Sequence, residues 1–164
     1  MGGKAHGGMK VSLDEAHALY EEIFELIQFK VNKIQLCGSA RRKKKVCGDL
    51  DIVVVPNSFP EDLNSFFVET FGYQKSGKPA KTGLFKGVQV EFYVATPFNY
   101  GSFLQMWTGS AYHNISLRRK SKKMGYSMSQ YGMRHIESND LIRFDNEEKI
   151  YKFLNIDYVL PENR

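Results

Sequence analysis

Apolar positions in this chain recur at two periods, and the alternation between them marks out short elements. Ser12 to Glu15 reads as a capping box, in which a serine and a glutamate three residues apart serve the free N–H groups of a helix start. Leu13, Ala16, Tyr20, Ile23, Phe24 and Ile27 then fall on one helical face, with an acidic outer face opposite. Ile34 to Cys37 is a short strand running into the turn signal Gly38-Ser39, and Asp49 to Val55 is a β-branched, half-buried strand. Ser58, Pro60 and Glu61 open a second helix that Gly72 closes. Tyr73 to Phe85 is strand with an interrupting Gly-Lys-Pro loop, Lys86-Gly87 is a hairpin turn, and Val88 to Ala95 is the next strand. After Pro97 the period is helical, over Tyr100 to Trp107 and again over Ser110 to Met124, which Gly125 terminates. Tyr131 to Ile136 and Leu141 to Phe144 predict a hairpin around Glu137-Ser138-Asn139-Asp140, and Asp145 to Glu148 predicts a capping box for a helix ending near Leu154.

The order of elements is that of an α+β protein. A flexible tail is expected over 1–11, a first subdomain over 12–97 with a mixed or antiparallel sheet covered by helices on one face, and a small α/β subdomain over 98–164. At 164 residues the chain has room for one domain, or two subdomains sharing a core. No run approaches the roughly 18 apolar residues of a membrane helix, and the Gly-rich start lacks the apolar region of a signal peptide. The expectation is a soluble, intracellular protein without membrane contact, in a cytoplasmic, nuclear or viral setting. Cys37 and Cys47 are too few for a disulfide framework or a zinc site, and are read as free thiols.

Charge sharpens this picture. Lys and Arg number 23 against 18 Asp and Glu, a net +5, but the excess is local. Arg41 to Lys45 are five consecutive basic residues, without which the two signs balance. From Phe92 to Ile136 there is no acid, while Arg118, Arg119, Lys120, Lys122, Lys123 and Arg134 all fall there. Such clusters suit a phosphate-binding surface, although a solvated basic face has the same composition.

The candidate chemistry lies in Asp49-Leu50-Asp51. On a strand these carboxylates point to one face about 7 Å apart, while Leu50, Ile52 and Val54 point to the other. Two carboxylates projecting together call for positive charge between them, and divalent ions about 3.5 to 4 Å apart fit that space. Beside them Gly38 lets a phosphate approach the backbone, Ser39 offers a hydroxyl donor, and the basic stretch, read as flexible, carries positive charge to the same rim.

Gly-Ser, a spacer and Asp-hydrophobic-Asp resemble the signature of the polymerase beta-like nucleotidyltransferases. Glu91 in the strand Val88 to Tyr93, then Thr108-Gly109-Ser110, Asn114, Arg118, Gly125-Tyr126 and Gln130-Tyr131-Gly132, are similar in order and spacing to the palm and C-terminal subdomains of family X DNA polymerases. The likeness covers Ile34 to Arg164.

The resemblance implies a catalytic and metal-binding set of Asp49, Asp51 and Glu91, with two Mg2+ ions for which Mn2+ may substitute. Ser39, Arg42 and Gly48, with Gly38, would hold the triphosphate. Thr108, Gly109 and Ser110 would form the turn beneath the nucleotide sugar, often with a cis Gly-Ser peptide, beside Trp107. Asn114 would reach the minor-groove edge, and Arg118, Arg119, Lys122 and Lys123 would face DNA. The implied activity is template-dependent addition of deoxynucleotides to a primer 3′-hydroxyl, in gapped or primer-template DNA, as short-gap filling in repair by a monomer. A template-independent or RNA-directed nucleotidyltransferase, and a catalytically weak nucleic-acid-binding protein, are the alternatives. Three residues depart from the family pattern: Glu91 replaces the usual Asp, Gln89 stands where an Arg often binds the primer phosphate, and Met106-Trp107 replaces an aromatic pair. The residues before Ile34 are too few for the family's amino-terminal lyase and helix-hairpin-helix parts, so the chain resembles the pared-down viral members.

Overall fold

A computed structural model describes residues 8–57, 60–73 and 80–164. The chain enters through β1 (Val11–Ser12) and α1 (Leu13–Ile27). Both bonds of the capping box form: Ser12 Oγ accepts from the Glu15 N–H at 3.2 Å, and Glu15 Oε2 accepts from the Ser12 N–H at 2.7 Å. β2 (Val31–Leu36), the one-turn helix α2 (Gly38–Arg41), β3 (Val46–Cys47) and β4 (Leu50–Pro56) follow. Then come α3 (Pro60–Phe71), β5 (Ala80–Phe85) and β6 (Val88–Val94). Lys86 and Gly87 both take positive φ in the β5–β6 turn, the handedness a two-residue hairpin needs.

The main sheet runs in the order β2-β4-β6-β5, with β4 and β6 parallel and the other pairs antiparallel. On one face Ile52, Val54, Val90 and Phe92 pack against Ala16, Ile23 and Ile27 of α1 and Leu63, Phe67 and Phe71 of α3. Phe67 stacks on Phe92 with centroids 4.3 Å apart, so the phenylalanine group of α3 is core. The other face carries Val53, Val55 and Tyr93, which α4 (Tyr100–Thr108) covers with Phe103, Leu104 and Trp107. β4 is therefore buried on both sides, which accounts for its unbroken β-branched run.

The C-terminal part consists of α5 (Ala111–Lys123), the sheet β7 (Tyr126–Ser129), β8 (Gly132–His135) and β9 (Leu141–Ile142), and α6 (Glu147–Phe153). Leu117, Met128, Met133, Phe144, Ile150, Tyr151 and Leu154 form its own core. The two thiols are free and buried.

Several expectations change. Gly38-Ser39 opens a helical turn rather than a simple bend, because the Arg41 and Arg42 N–H groups bond back to the Cys37 and Gly38 carbonyls. Val11, placed in a tail by its sequence, is buried in β1 and pairs with Cys47, while the Met9 N–H donates to Gly87 O. β7 has no counterpart in the sequence reading, since Tyr126 and Met128 do alternate with serines but over only four residues. Asn146 rather than Asp145 caps α6, accepting from the Glu148 N–H at 2.8 Å, and Asp145 instead pairs with Lys149. Ser58 and the Gly-Lys-Pro loop lie outside the described residues.

Candidate active site

The parallel register of β4 and β6 sets Asp51 directly beside Glu91. Asp49 lies just ahead of β4 and interacts electrostatically with both Asp51 and Glu91, so three carboxylates gather on one face of the sheet. Their proximity shows in their ionisation. Burial, with added repulsion from Asp49 and Glu91, pushes Asp51 up to about 7 against the opposing pull of a Tyr93 hydrogen bond and Arg42. Asp49 is also raised, first by burial and then by the Glu91 charge, with Arg42 acting in the opposite direction. The Tyr93 hydroxyl lies between two of the three, 2.5 Å from Glu91 Oε2 and 3.2 Å from Asp51 Oδ1.

Gly38 is the floor beneath Asp51. Its φ is +59°, and a Cβ there would stand 2.0 Å from Asp51 Oδ2. The glycine thus makes room for the carboxylate, a closer constraint than the backbone approach of a phosphate that its sequence context implied. Beside it the Ser39 hydroxyl and Arg42 Nε are buried without a hydrogen-bond partner among the described residues. Buried donors are rarely left so, and both belong to the α2 turn next to Asp51. Gly48 has open space where a Cβ would stand.

Part of the basic stretch has a further use that its sequence did not signal. Arg41 donates to Thr108 Oγ1 and to Glu147 Oε2, each at 2.6 Å. Arg42 donates to the Thr108 carbonyl at 2.5 Å, and Lys43 pairs with Glu162 at 2.9 Å. These three residues are not a flexible basic loop; they join the main sheet's subdomain to the C-terminal one. Arg164 completes the junction, bonding Glu147 Oε1 at 2.8 Å and lying over the rings of Tyr151 and Tyr158.

Thr108, Gly109 and Ser110 link α4 to α5. The Gly109–Ser110 peptide is cis, Gly109 has φ +70°, and Ser110 caps α5 by accepting from the His113 N–H. Thr108 is fully buried, and its side chain accepts from Arg41 in the junction. Asn114 is turned onto α4: its oxygen accepts from Gln105 and its NH2 donates to the Met106 carbonyl. Trp107 stacks on Tyr93 with centroids 3.6 Å apart and 17° between planes, which brings it next to the carboxylates. Arg118 reaches Met106 Sδ at 3.2 Å, while Arg119, Lys122 and Lys123 project from the exposed side of α5. His113 and His135 are packing residues, bonded to the Tyr151 hydroxyl and the Ser138 N–H respectively.

Comparison with known proteins finds similarity to DNA polymerases. The DNA polymerase beta thumb family matches residues 103–164. The chain is 25% identical over 151 residues to repair DNA polymerase X of African swine fever virus (isolate Tick/Malawi/Lil 20-1/1983), covering 85% of this chain and 86% of the relative. It is 25% identical to the DNA polymerase/3'-5' exonuclease PolX of Bacillus subtilis over 138 residues, 80% of this chain but only 24% of that longer protein. Human DNA-directed DNA/RNA polymerase mu is 32% identical over 80 residues, 48% of this chain and 16% of the relative. The chain is similar to DNA polymerases of family X.

Sequence reasoning named the three carboxylates but not the groups that hold Glu91. Gln89 and Tyr93 flank Glu91 on β6, and the alternation of the strand was the signal that could have found them. Arg41, Glu147 and Arg164 were also missed as a unit, because no local pattern links positions more than a hundred residues apart. As to a metal, the donor set is all oxygen and all anionic, the chemistry that hard divalent cations take. Among the described residues no three acidic, His or Cys side chains stand close enough together to enclose an ion as they are placed. Burial first, and then repulsion from neighbouring carboxylates, raises Asp49 and Asp51; a cation would relieve that repulsion, so the residues fit such a group in chemistry. No helix among the described residues is long and apolar enough to cross a membrane.

Proposed function

We propose that the chain is a template-directed DNA polymerase that adds deoxynucleotides to a primer 3′-hydroxyl and fills short gaps in DNA under repair. The observation that carries this reading is the pairing of Asp51 with Glu91 across parallel strands, with Asp49 beside them. In this reading Asp49 and Asp51 would hold two Mg2+ ions and Glu91 the one nearer the primer. When bound, such ions lower the pKa of the 3′-hydroxyl and neutralise charge on the α-phosphate. The chain's own groups position the reactants. The Ser39 hydroxyl and Arg42 Nε, without partners among the described residues, are donors for the triphosphate, next to the carboxylates. The α4–α5 turn, with Trp107 stacked on Tyr93, forms the floor on the nucleotide's sugar side. The acid-free face of α5, with Arg118, Arg119, Lys122 and Lys123, would take duplex phosphates, most of the gain coming from orientation and charge.

The test is extension of a labelled primer in a one-nucleotide gap, opposite each template base, with Mg2+ or Mn2+. Asp49→Asn and Asp51→Asn are each expected to abolish template-directed addition. Untemplated tailing by the wild-type protein, or duplex binding with no addition under either metal, would overturn the proposal.

A further inference from the structure

Glu91 has one methylene more than the aspartate usual in this family, and three side-chain torsions to fix before its carboxylate is of use. β6 supplies the means. Residues 89, 91 and 93 alternate onto one face of the strand. Gln89 Nε2 donates to Glu91 Oε1 at 2.8 Å, and the Tyr93 hydroxyl donates to Glu91 Oε2 at 2.5 Å. Both carboxylate oxygens are thus held from the strand that carries the residue. The Tyr93 hydroxyl has a single proton, and its Asp51 contact is longer, so the bond to Glu91 takes it. The two donors are themselves fixed: Gln89 is 7% exposed and Tyr93 2% exposed. Trp107 lies flat on the Tyr93 ring, and the chain at Gly8 lies so close over Gln89 that a Cβ there would be 2.7 Å from its backbone nitrogen.

Resting on the reading of Glu91 as a metal ligand, we propose that Gln89 and Tyr93 are positioning residues that pre-orient the longer carboxylate of Glu91 toward the divalent ion. Both donors are neutral, so they restrain the carboxylate without cancelling its charge. Each oxygen keeps a lone pair for the cation while the rotamer freedom of the glutamate is already removed. Gln89, Glu91 and Tyr93 therefore act as a unit suited to glutamate.

Trp107 is the only tryptophan of the chain and stacks on Tyr93, so its emission reports on this site without any turnover. Mn2+ is titrated into the full chain while Trp107 fluorescence is followed, for wild type, Tyr93→Phe, Gln89→Met, Glu91→Asp and Asp49→Asn, below the melting transition of each. Tyr93→Phe and Gln89→Met are each expected to raise the half-saturating Mn2+ concentration about tenfold, the usual effect of removing a ligand's hydrogen-bond partner. In gapped-primer extension they are expected to lower kcat with little change in KM for the nucleotide. Glu91→Asp is expected to weaken Mn2+ binding in the wild-type background, and by much less in the Gln89→Met/Tyr93→Phe background, where nothing distinguishes the two lengths. An Mn2+ midpoint within twofold of wild type in Tyr93→Phe, or a tighter one showing that the hydroxyl competes with the ion, would overturn the inference while Asp49→Asn still abolishes the response. A response that survives Asp49→Asn would overturn the metal-site reading itself, and the inference with it.

Discussion

Glu147→Gln should be the most damaging single change outside the carboxylate site. Glu147 is 5% exposed and receives Arg41 on one oxygen and Arg164, 0% exposed, on the other. The glutamine keeps the shape and one acceptor but removes the charge, leaving two guanidinium groups facing each other in the junction. Unit charges a few ångströms apart repel by a few kcal/mol at an effective dielectric of about 20, and unpairing a buried ion pair costs about 3–5 kcal/mol. For a chain of this size each kcal/mol moves Tm by roughly 2–4 °C, so a fall of about 6–20 °C is expected in thermal unfolding followed by circular dichroism. Arg41→Gln should cost less, because Glu147 and Arg164 remain a neutral pair that still stacks on Tyr151 and Tyr158. Since Arg41 also holds Thr108, both changes should broaden unfolding as the two subdomain cores uncouple. A loss below about 1 kcal/mol for Glu147→Gln, or a larger loss for Arg41→Gln, would refute the reasoning, the first by showing that water screens the pair.

Other outcomes follow from single residues. Gly38→Ala should place a methyl group 2.0 Å from Asp51 Oδ2 at a positive φ; nucleotide addition should be lost and urea unfolding should show about 1–2 kcal/mol lower stability, whereas an active variant would mean that the turn can move. Burial pushes the Cys37 thiol up to about 12, so at pH 8 its thiolate is roughly one part in ten thousand. Iodoacetamide labelling read by mass spectrometry should leave Cys37 unmodified in the native protein and modify it in urea; rapid native labelling would contradict the burial. Lys122→Ala with Lys123→Ala should reduce the slope of log affinity for duplex DNA against log salt by about 2, at about 0.9 per phosphate contact, and an unchanged slope would show that α5 does not face DNA. Ser12→Ala breaks the capping box and should cost about 1 kcal/mol in a thermal melt.

What the sequence by itself determined about this protein is local. The Ser12–Glu15 box, the β-branched run after Asp49, the Lys86-Gly87 hairpin and the Gly72 helix end were all legible, since each depends on groups within four residues of one another. Asp49 and Asp51 were legible as a pair for the same reason. Glu91 was legible only through the family resemblance, because its place beside Asp51 depends on the parallel register of two strands forty positions apart. The tertiary structure decided how the basic residues are used. Composition assigned Arg41 to Lys45 to a phosphate rim, but Arg41 and Lys43 find partners 106 and 119 residues away in sequence, and Arg42 finds the Thr108 carbonyl. A positive side chain satisfies a buried carboxylate or a phosphate by the same chemistry, and only the packing of one subdomain on the other brings a carboxylate within reach. The same packing lays Trp107 on Tyr93, and, with the chain at Gly8 close over Gln89, this fixes the glutamate that the strand pattern left free to rotate.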